Sequence, residues 1–337
     1  MRKKLPFRMA AGVILLLLTG FAAGRWLFPA PRERIGGPRY LIVNADDLGL
    51  SEGVTEGIVR AWREGIVTST SAMINVEGAP EQTAAVHAEH PDLPIGLHLN
   101  ITTGQPVLPF GQVPTLVDAS GQFYSIDALL EHLPEVSLDE LYAELRAQAE
   151  RMLFIGVPFD HIDYHEGILM MYPPFYQVVR DLAREYGVPV RQPVPESVYG
   201  HVQLPGGGAA SAILPKMIQF GLRHPILAQE LMSGMTPAAL EERAALLNAE
   251  GIPAPNWYID ANFGNASVEN FVAILEQLPP GVSEVMAHPG LVDDQLRELG
   301  AGYVEQREAE LAVLLDPRLP AALAANRVKL VDFSFVR

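Results

Sequence analysis

Tyr40-Leu41-Ile42-Val43-Asn44-Ala45-Asp46-Asp47 is the stretch that decides the fold class. Four apolar residues lead directly into Asn44 and two adjacent carboxylates, the pattern of a strand that ends in a polar cluster. Working outward, further strands are expected at Val67–Ile74, Ile95–Leu99, Phe159–Tyr164, Val188–Arg191, Trp257–Asp260, Ser283–Ala287 and Val328–Phe333. Helical periodicity falls between them at Val54–Glu64, Glu81–His90, Leu138–Gly156, Phe175–Tyr186, Pro237–Glu250, Val268–Leu278 and Glu305–Leu314. Strands alternating with helices argue for an α/β fold with a parallel sheet. Seven or eight such units match a (β/α) TIM-like barrel better than an open sheet. Two stretches break the rhythm: Thr102–Ser125, rich in Gly and Pro, and Gln192–Ile213, with Pro205-Gly206-Gly207-Gly208. Loops of this length in a compact domain are lids, binding loops or disordered segments.

The 337 residues are 49% hydrophobic and 19% charged, which suits a well-packed globular enzyme. There is no cysteine, so disulfides, thiolate metal sites and cysteine nucleophiles are excluded, and any metal must be held by His and carboxylates. The net charge of −16 is uneven: residues 1–39 carry eight Lys/Arg against one acid, leaving about −23 on the rest. So acidic a body argues against nucleic acid as a partner and fits a neutral or cationic substrate.

Arg2, Lys3, Lys4 and Arg8 precede an uncharged run rich in Leu and Ala from Met9 to Gly24. A basic region followed by an apolar one is an export pattern, read here as a signal peptide or N-terminal membrane anchor over residues 1–28. A Pro/Arg-rich linker follows at 29–38, and the body spans 39–337. The body is therefore expected outside the cytoplasmic membrane, with any membrane association made through residues 9–28.

Four polar clusters close expected strands, where a barrel places its active-site face. In the first, Asp46 and Asp47 point in different directions, so one can bind a metal while the other faces water; the alternative is helix capping, since Ser51-Glu52 follow. In Gly96-Leu97-His98-Leu99-Asn100, His98 shares a face with Gly96 and Asn100, and taken alone it reads more readily as a core histidine. In His161-Ile162-Asp163-Tyr164-His165, the i, i+2, i+4 spacing puts three ionisable groups on one strand face, which is costly to bury without a metal or a mutual network. His288, before Pro289-Gly290, would sit at a strand mouth, suited to donating a proton or simply placed in a surface turn. Arg191 ends its own expected strand, either orienting a carboxylate or standing as a surface charge. Together, one Asp and two His make a facial triad suited to a divalent ion that activates water.

These motifs, with Val67-Thr68-Ser69-Thr70-Ser71 and Tyr303…Arg307-Glu308…Glu310-Leu311, resemble the YdjC-like (chitooligosaccharide deacetylase) family from about Arg39 to the C-terminus. The resemblance implies a deformed (β/α) barrel and metal-dependent removal of acetyl groups from N-acetylated amino sugars. It further implies Asp47, His98 and His165 as metal ligands, Asp46 as general base and His288 as general acid. His161, Asp163 and Arg191 are expected to support the site or meet substrate. One departure stands out: the family continues after the His165 position with Gln and His, whereas here Glu166 and Gly167 follow.

Two rival functions share these residues, namely a barrel metallohydrolase acting on phosphoesters and a membrane-tethered glycan-binding protein without catalysis. Tyr124, Tyr164, Tyr172 and Trp257 are candidates either for sugar stacking or for the core. The sequence sets neither the ion, zinc or magnesium, nor the oligomeric state.

Overall fold

The computed structural model describes residues 37–195, 202, 204, 218–299 and 303–337. The expected export segment at 1–28, nearly all of the linker, and most of the loop Gln192–Ile213 (His201 included) lie outside the described residues. Among the described residues, no helix is long and apolar enough to cross a membrane.

The frame is a curled parallel sheet of seven strands: β1 (Arg39–Leu48), β2 (Ser69–Ala72), β3 (Ile95–Leu99), β4 (Ile162–Tyr164), β5 (Trp257–Ile259), β6 (Gly281–Ala287) and β7 (Val328–Leu330). Their order is β4-β3-β2-β1-β6-β5, with β7 beside the start of β1. Every pairing is parallel. The two edges, β4 and β5, are linked through the chain between them, where Val190 bridges Ile162 and Pro195 bridges Tyr258. The sheet is thus a curled, parallel half-barrel in a single α/β domain, consistent with the deformed barrel expected.

The expected strand Val188–Arg191 reduces to that one bridge at Val190. Pro189, Pro193 and Pro195 each lack the N–H a ladder needs, so apolar residues alone cannot extend the strand. β2, β4, β5 and β7 are shorter than expected, β3 matches, β6 begins two residues earlier, and β1 runs past the expected Tyr40–Asn44, carrying Asp46 and Asp47 within it.

Alternation along β1 separates two packing regions. Leu41, Val43 and Ala45 join the large core between sheet and helices. Ile42 points the other way, into a small cluster with Val282 and Phe333 inside the curl. Phe333 is fully buried and stacks on the ring of His161 at 3.7 Å between centroids. His161 in turn lies against Gly96, where an added Cβ would come within 2.3 Å of its ring. These residues form a floor, and above it the interior turns polar.

Local capping fixes the helices that hold the sheet. Ser51, Ser137, Thr236 and Ser267 each accept a backbone N–H at the start of a helix, and Gly187 and Gly251 end two helices in the left-handed conformation. Gly57 lets the helix Glu52–Glu64 approach the turn after β6, since a Cβ there would lie 2.5 Å from Gly290 Cα. The expected loop Thr102–Ser125 is tethered. Asn75 donates to the carbonyls of Thr103 and Gln105, Glu144 accepts from the N–H groups of Val107 and Leu108, and Glu140 accepts from Thr115.

Candidate metal centre and active site

Ser51 caps its helix through Oγ to Val54 N, which leaves Asp46 and Asp47 free of that duty. The register between β1 and β2 slips between Ala45 and Leu48, and Asp47 has φ +76°. A bulge of this kind re-aims consecutive side chains that would otherwise point to opposite faces. Both carboxylates can therefore turn to one region, and the alternation of a regular strand hides that outcome.

Asp47 Oδ1 lies 3.1 Å from His165 Nδ1 and 3.2 Å from His98 Nε2. One ligand atom from each of these three residues falls within 4.8 Å of the others. His98 Nε2 is buried and makes no hydrogen bond, despite its closeness to the carboxylate. Two acceptor-bearing groups that converge without a well-aligned hydrogen bond suit a shared cation, so the donor set fits a divalent ion. Burial works to raise the Asp47 carboxyl, but Arg307 and the His165 and His98 rings hold it well below the usual carboxylate range. Arg307 donates from Nη2 to Asp47 Oδ2 at 2.6 Å, so Oδ1 is the oxygen that faces the histidines.

His98 and Asp163 are register partners across β3 and β4, and Nδ1 of the ring lies 2.7 Å from Asp163 Oδ1. Burial disfavours charge on His98, yet Asp163, followed by Asp47 and Asp46, pushes its pKa up to about 10. Asp163 also accepts from Ser71 Oγ at 2.7 Å and from Asn44 Nδ2 at 3.1 Å. A carboxylate fixed in this way fixes the ring it holds.

Asp46 is gripped end-on by Arg191, with Nη1 to Oδ2 at 2.8 Å and Nη2 to Oδ1 at 2.7 Å. Arg191 is 1% exposed, so it is no surface charge. Its Nε donates to Glu284 Oε1 at 2.7 Å, and Nη2 also lies 2.9 Å from Asp163 Oδ2. Burial pushes Glu284 up to about 7 against the pull of Arg191.

His288 is 8% exposed rather than a surface-turn residue. Its backbone N–H donates to Glu310 Oε2 at 2.6 Å, and Glu310 also accepts from the hydroxyl of Tyr303. Burial pushes the His288 imidazole down to about 4. The rings of Phe263 and Tyr303 each lie 5.4 Å from it.

The structure thus brings Asp46, Asp47, His98, Asp163, His165 and Arg191 together as two hydrogen-bonded networks, Asp46–Arg191–Asp163–His98 and Asp47–His165, which meet at the close contact of His98 Nε2 with Asp47 Oδ1. His161 stands apart from that bonding: its Nδ1 pairs with Asp160 at 2.7 Å and its ring faces Phe333. The one-face reading of His161, Asp163 and His165 is corrected in this respect, because β4 is only three residues long and His165 begins the turn after it. Glu166 and Gly167, where the chain departs from the family pattern, both take positive φ, +53° and +72°. Of the aromatic candidates, Tyr164 is buried, Tyr124 stacks on His132, Tyr172 packs edge-on to Phe175, and Trp257 donates to the Pro280 carbonyl. Arg307, Glu310 and Glu284 were not singled out as site residues in the sequence. Arg307 and Glu310 lie on the helix Gln306–Leu314 and Glu284 within β6, and their burial as charged groups gives them a place in the site that the motif alone leaves unassigned.

A family model described as YdjC-like protein matches residues 40–325. The chain belongs to the YdjC-like family. Among YdjC-like relatives, a carbohydrate deacetylase of Brevibacillus brevis (strain 47) is 34% identical over 296 residues, covering 87% of this chain and 98% of that one. A carbohydrate deacetylase of Geobacillus stearothermophilus is 31% identical over 297 residues, covering 88% and 97%. A crystal structure of a candidate cellobiose-phosphate cleavage protein from Enterococcus faecalis V583 superposes with a TM-score of 0.69 at 25% identity, covering 89% of this chain and all of that one.

Proposed function

We propose that the protein is a metal-dependent hydrolase that removes N-acetyl groups from N-acetylated amino sugars. The observation that carries this reading is the convergence of Asp47, His98 and His165 beside Asp46, a second carboxylate that Arg191 holds in a fixed orientation. Asp47, His98 and His165 would hold the ion. A divalent ion there, zinc or magnesium by the donor set, would supply Lewis acidity, polarising an amide carbonyl and lowering the pKa of water.

Asp46 takes the proton of the attacking water, and the Arg191 grip keeps its carboxylate aimed while it does so. His288 hands a proton to the amine nitrogen as the C–N bond breaks, giving acetate and the free amine. Because burial holds its pKa near 4, His288 is neutral at pH 7, so the proton it delivers is the one that Asp46 takes from the water, passed on within the turnover. The carbohydrate deacetylase relatives support an amino-sugar substrate, and the acidic body suits a product that carries a new positive charge.

The same reading places the body outside the cytoplasmic membrane, on the strength of the basic and apolar pattern in residues 1–28. Cell fractionation checks that placement, and recovery in the cytosol would overturn it.

Acetate release from N-acetylglucosamine oligomers, with EDTA and then with zinc or magnesium restored, tests the chemistry. Metal-dependent acetate that disappears in Asp46→Asn, with ion binding retained, is the expected result. Bound ion without acetate would point to another hydrolase class, and no bound ion would favour a glycan-binding protein.

A further inference from the structure

Arg191 is buried and shared among three carboxylates, and two of them have evident work: Asp46 is the candidate base and Asp163 holds His98. The third, Glu284, touches none of the candidate ion ligands through a hydrogen bond among the described residues. It is fully buried on β6, opposite Ile42 in the register with β1, at the level where the apolar floor gives way to polar groups. Its Oε1 receives Arg191 Nε at 2.7 Å, while Oε2 is buried with no hydrogen-bond partner. A carboxylate buried at that cost needs a reason to be there.

We propose that Glu284 is a positioning residue for the reaction: by holding Arg191 Nε it sets the plane of the guanidinium, and through that plane the orientation of Asp46. The inference rests on the deacetylase reading for its catalytic consequence, though not for its geometry. A guanidinium is planar, with five donors in a rigid fork. Holding Nε and the Nη pair at once removes rotation about the Cδ–Nε bond, so Asp46 meets two donors whose directions are set from behind. Without Glu284, Arg191 keeps Asp46 and Asp163 as partners but can pivot between them. The base then samples several orientations. Misplacement of a reacting group by about 1 Å costs on the order of 100-fold in rate.

The test compares Glu284→Met, which keeps length and loses the acceptor, with Glu284→Gln, which keeps an oxygen for Arg191 Nε. Each is read by crystal structure, by bound ion per chain, and by kcat and KM for acetate release. Glu284→Met is expected to show a displaced guanidinium and kcat lowered about 100-fold, with KM within about twofold and ion content unchanged. Glu284→Gln is expected to keep Arg191 in place and lose less than about tenfold in kcat. An unmoved Arg191 or an undiminished kcat in Glu284→Met overturns the proposal, as does a loss of ion in step with the loss of rate. If Glu284→Met does not fold, Glu284→Gln decides: Arg191 in place with kcat down 100-fold means that charge, not position, matters, and the proposal fails. If the wild-type protein releases no acetate from any amide, the functional reading fails. The position of Arg191 in the variant structures still decides the geometric claim.

Discussion

Asp163 stands directly across from His98 in the parallel pairing of β4 with β3, and its Oδ1 lies 2.7 Å from the ring's Nδ1. Sheet register, rather than a flexible loop, therefore sets which way Nε2 faces. Asp163→Asn keeps the shape and removes the charge that holds the ring. Affinity for zinc, measured by titration calorimetry and corrected for the proton that His98 gives up, should fall about 10–100-fold, the usual cost of losing a carboxylate behind a ligand histidine. Unchanged affinity would mean that His98 does not bind the ion.

Ion binding should release a proton. With its pKa pushed up to about 10, His98 is protonated at pH 7 without an ion, and a ligand imidazole must be neutral. Calorimetry in buffers of different ionisation enthalpy should therefore report about one proton released per ion at pH 7. Apparent affinity should rise about tenfold per pH unit between 7 and 9. A proton count near zero would contradict the placement of His98 in the site.

Stability should carry the mark of His288. In the unfolded chain its pKa is the ordinary 6.5, whereas in the fold burial holds it near 4. Between those values the unfolded chain binds more protons, so stability falls as pH drops through this window. The loss should approach roughly 3 kcal/mol at most. Urea unfolding of the EDTA-treated protein at several pH values, compared with His288→Gln, isolates the effect. Parallel curves for the two proteins would refute it.

Gly96→Ala should destabilise the floor. The new methyl would stand 2.3 Å from the His161 ring, which Phe333 blocks from behind. Overpacking of this kind costs about 1–3 kcal/mol, visible as a lower thermal midpoint. A midpoint equal to the wild type would show that His161 can yield.

Much of the architecture is legible in the order of residues. Apolar runs and 3.6-residue periodicity locate Ile95–Leu99 and Pro237–Glu250 to the residue, because burial on one or both faces writes itself into composition. Val188–Arg191 misleads because an apolar run says nothing about missing N–H donors, and the prolines that remove them lie partly outside it. Short helices such as Ile126–His132 and Arg318–Ala325 show less than three full turns of pattern, too little to stand out. In the site, Asp47, His98 and His165 are recognisable because strand ends expose them to a common space. Arg307 and Glu310 stand in the family motif without a role: each looks like an ordinary helix charge until the fold turns the helix Gln306–Leu314 inward, onto Asp47 and the turn after β6.

Phe333 stacks flat on His161, and His161 fills the space that Gly96 leaves open, so the C-terminal tail is wedged against the strand that carries His98. The last residues of the chain thus act as a keystone: trimming them would unseat β3 from beneath and carry His98 with it, although none of them reaches the candidate ligands.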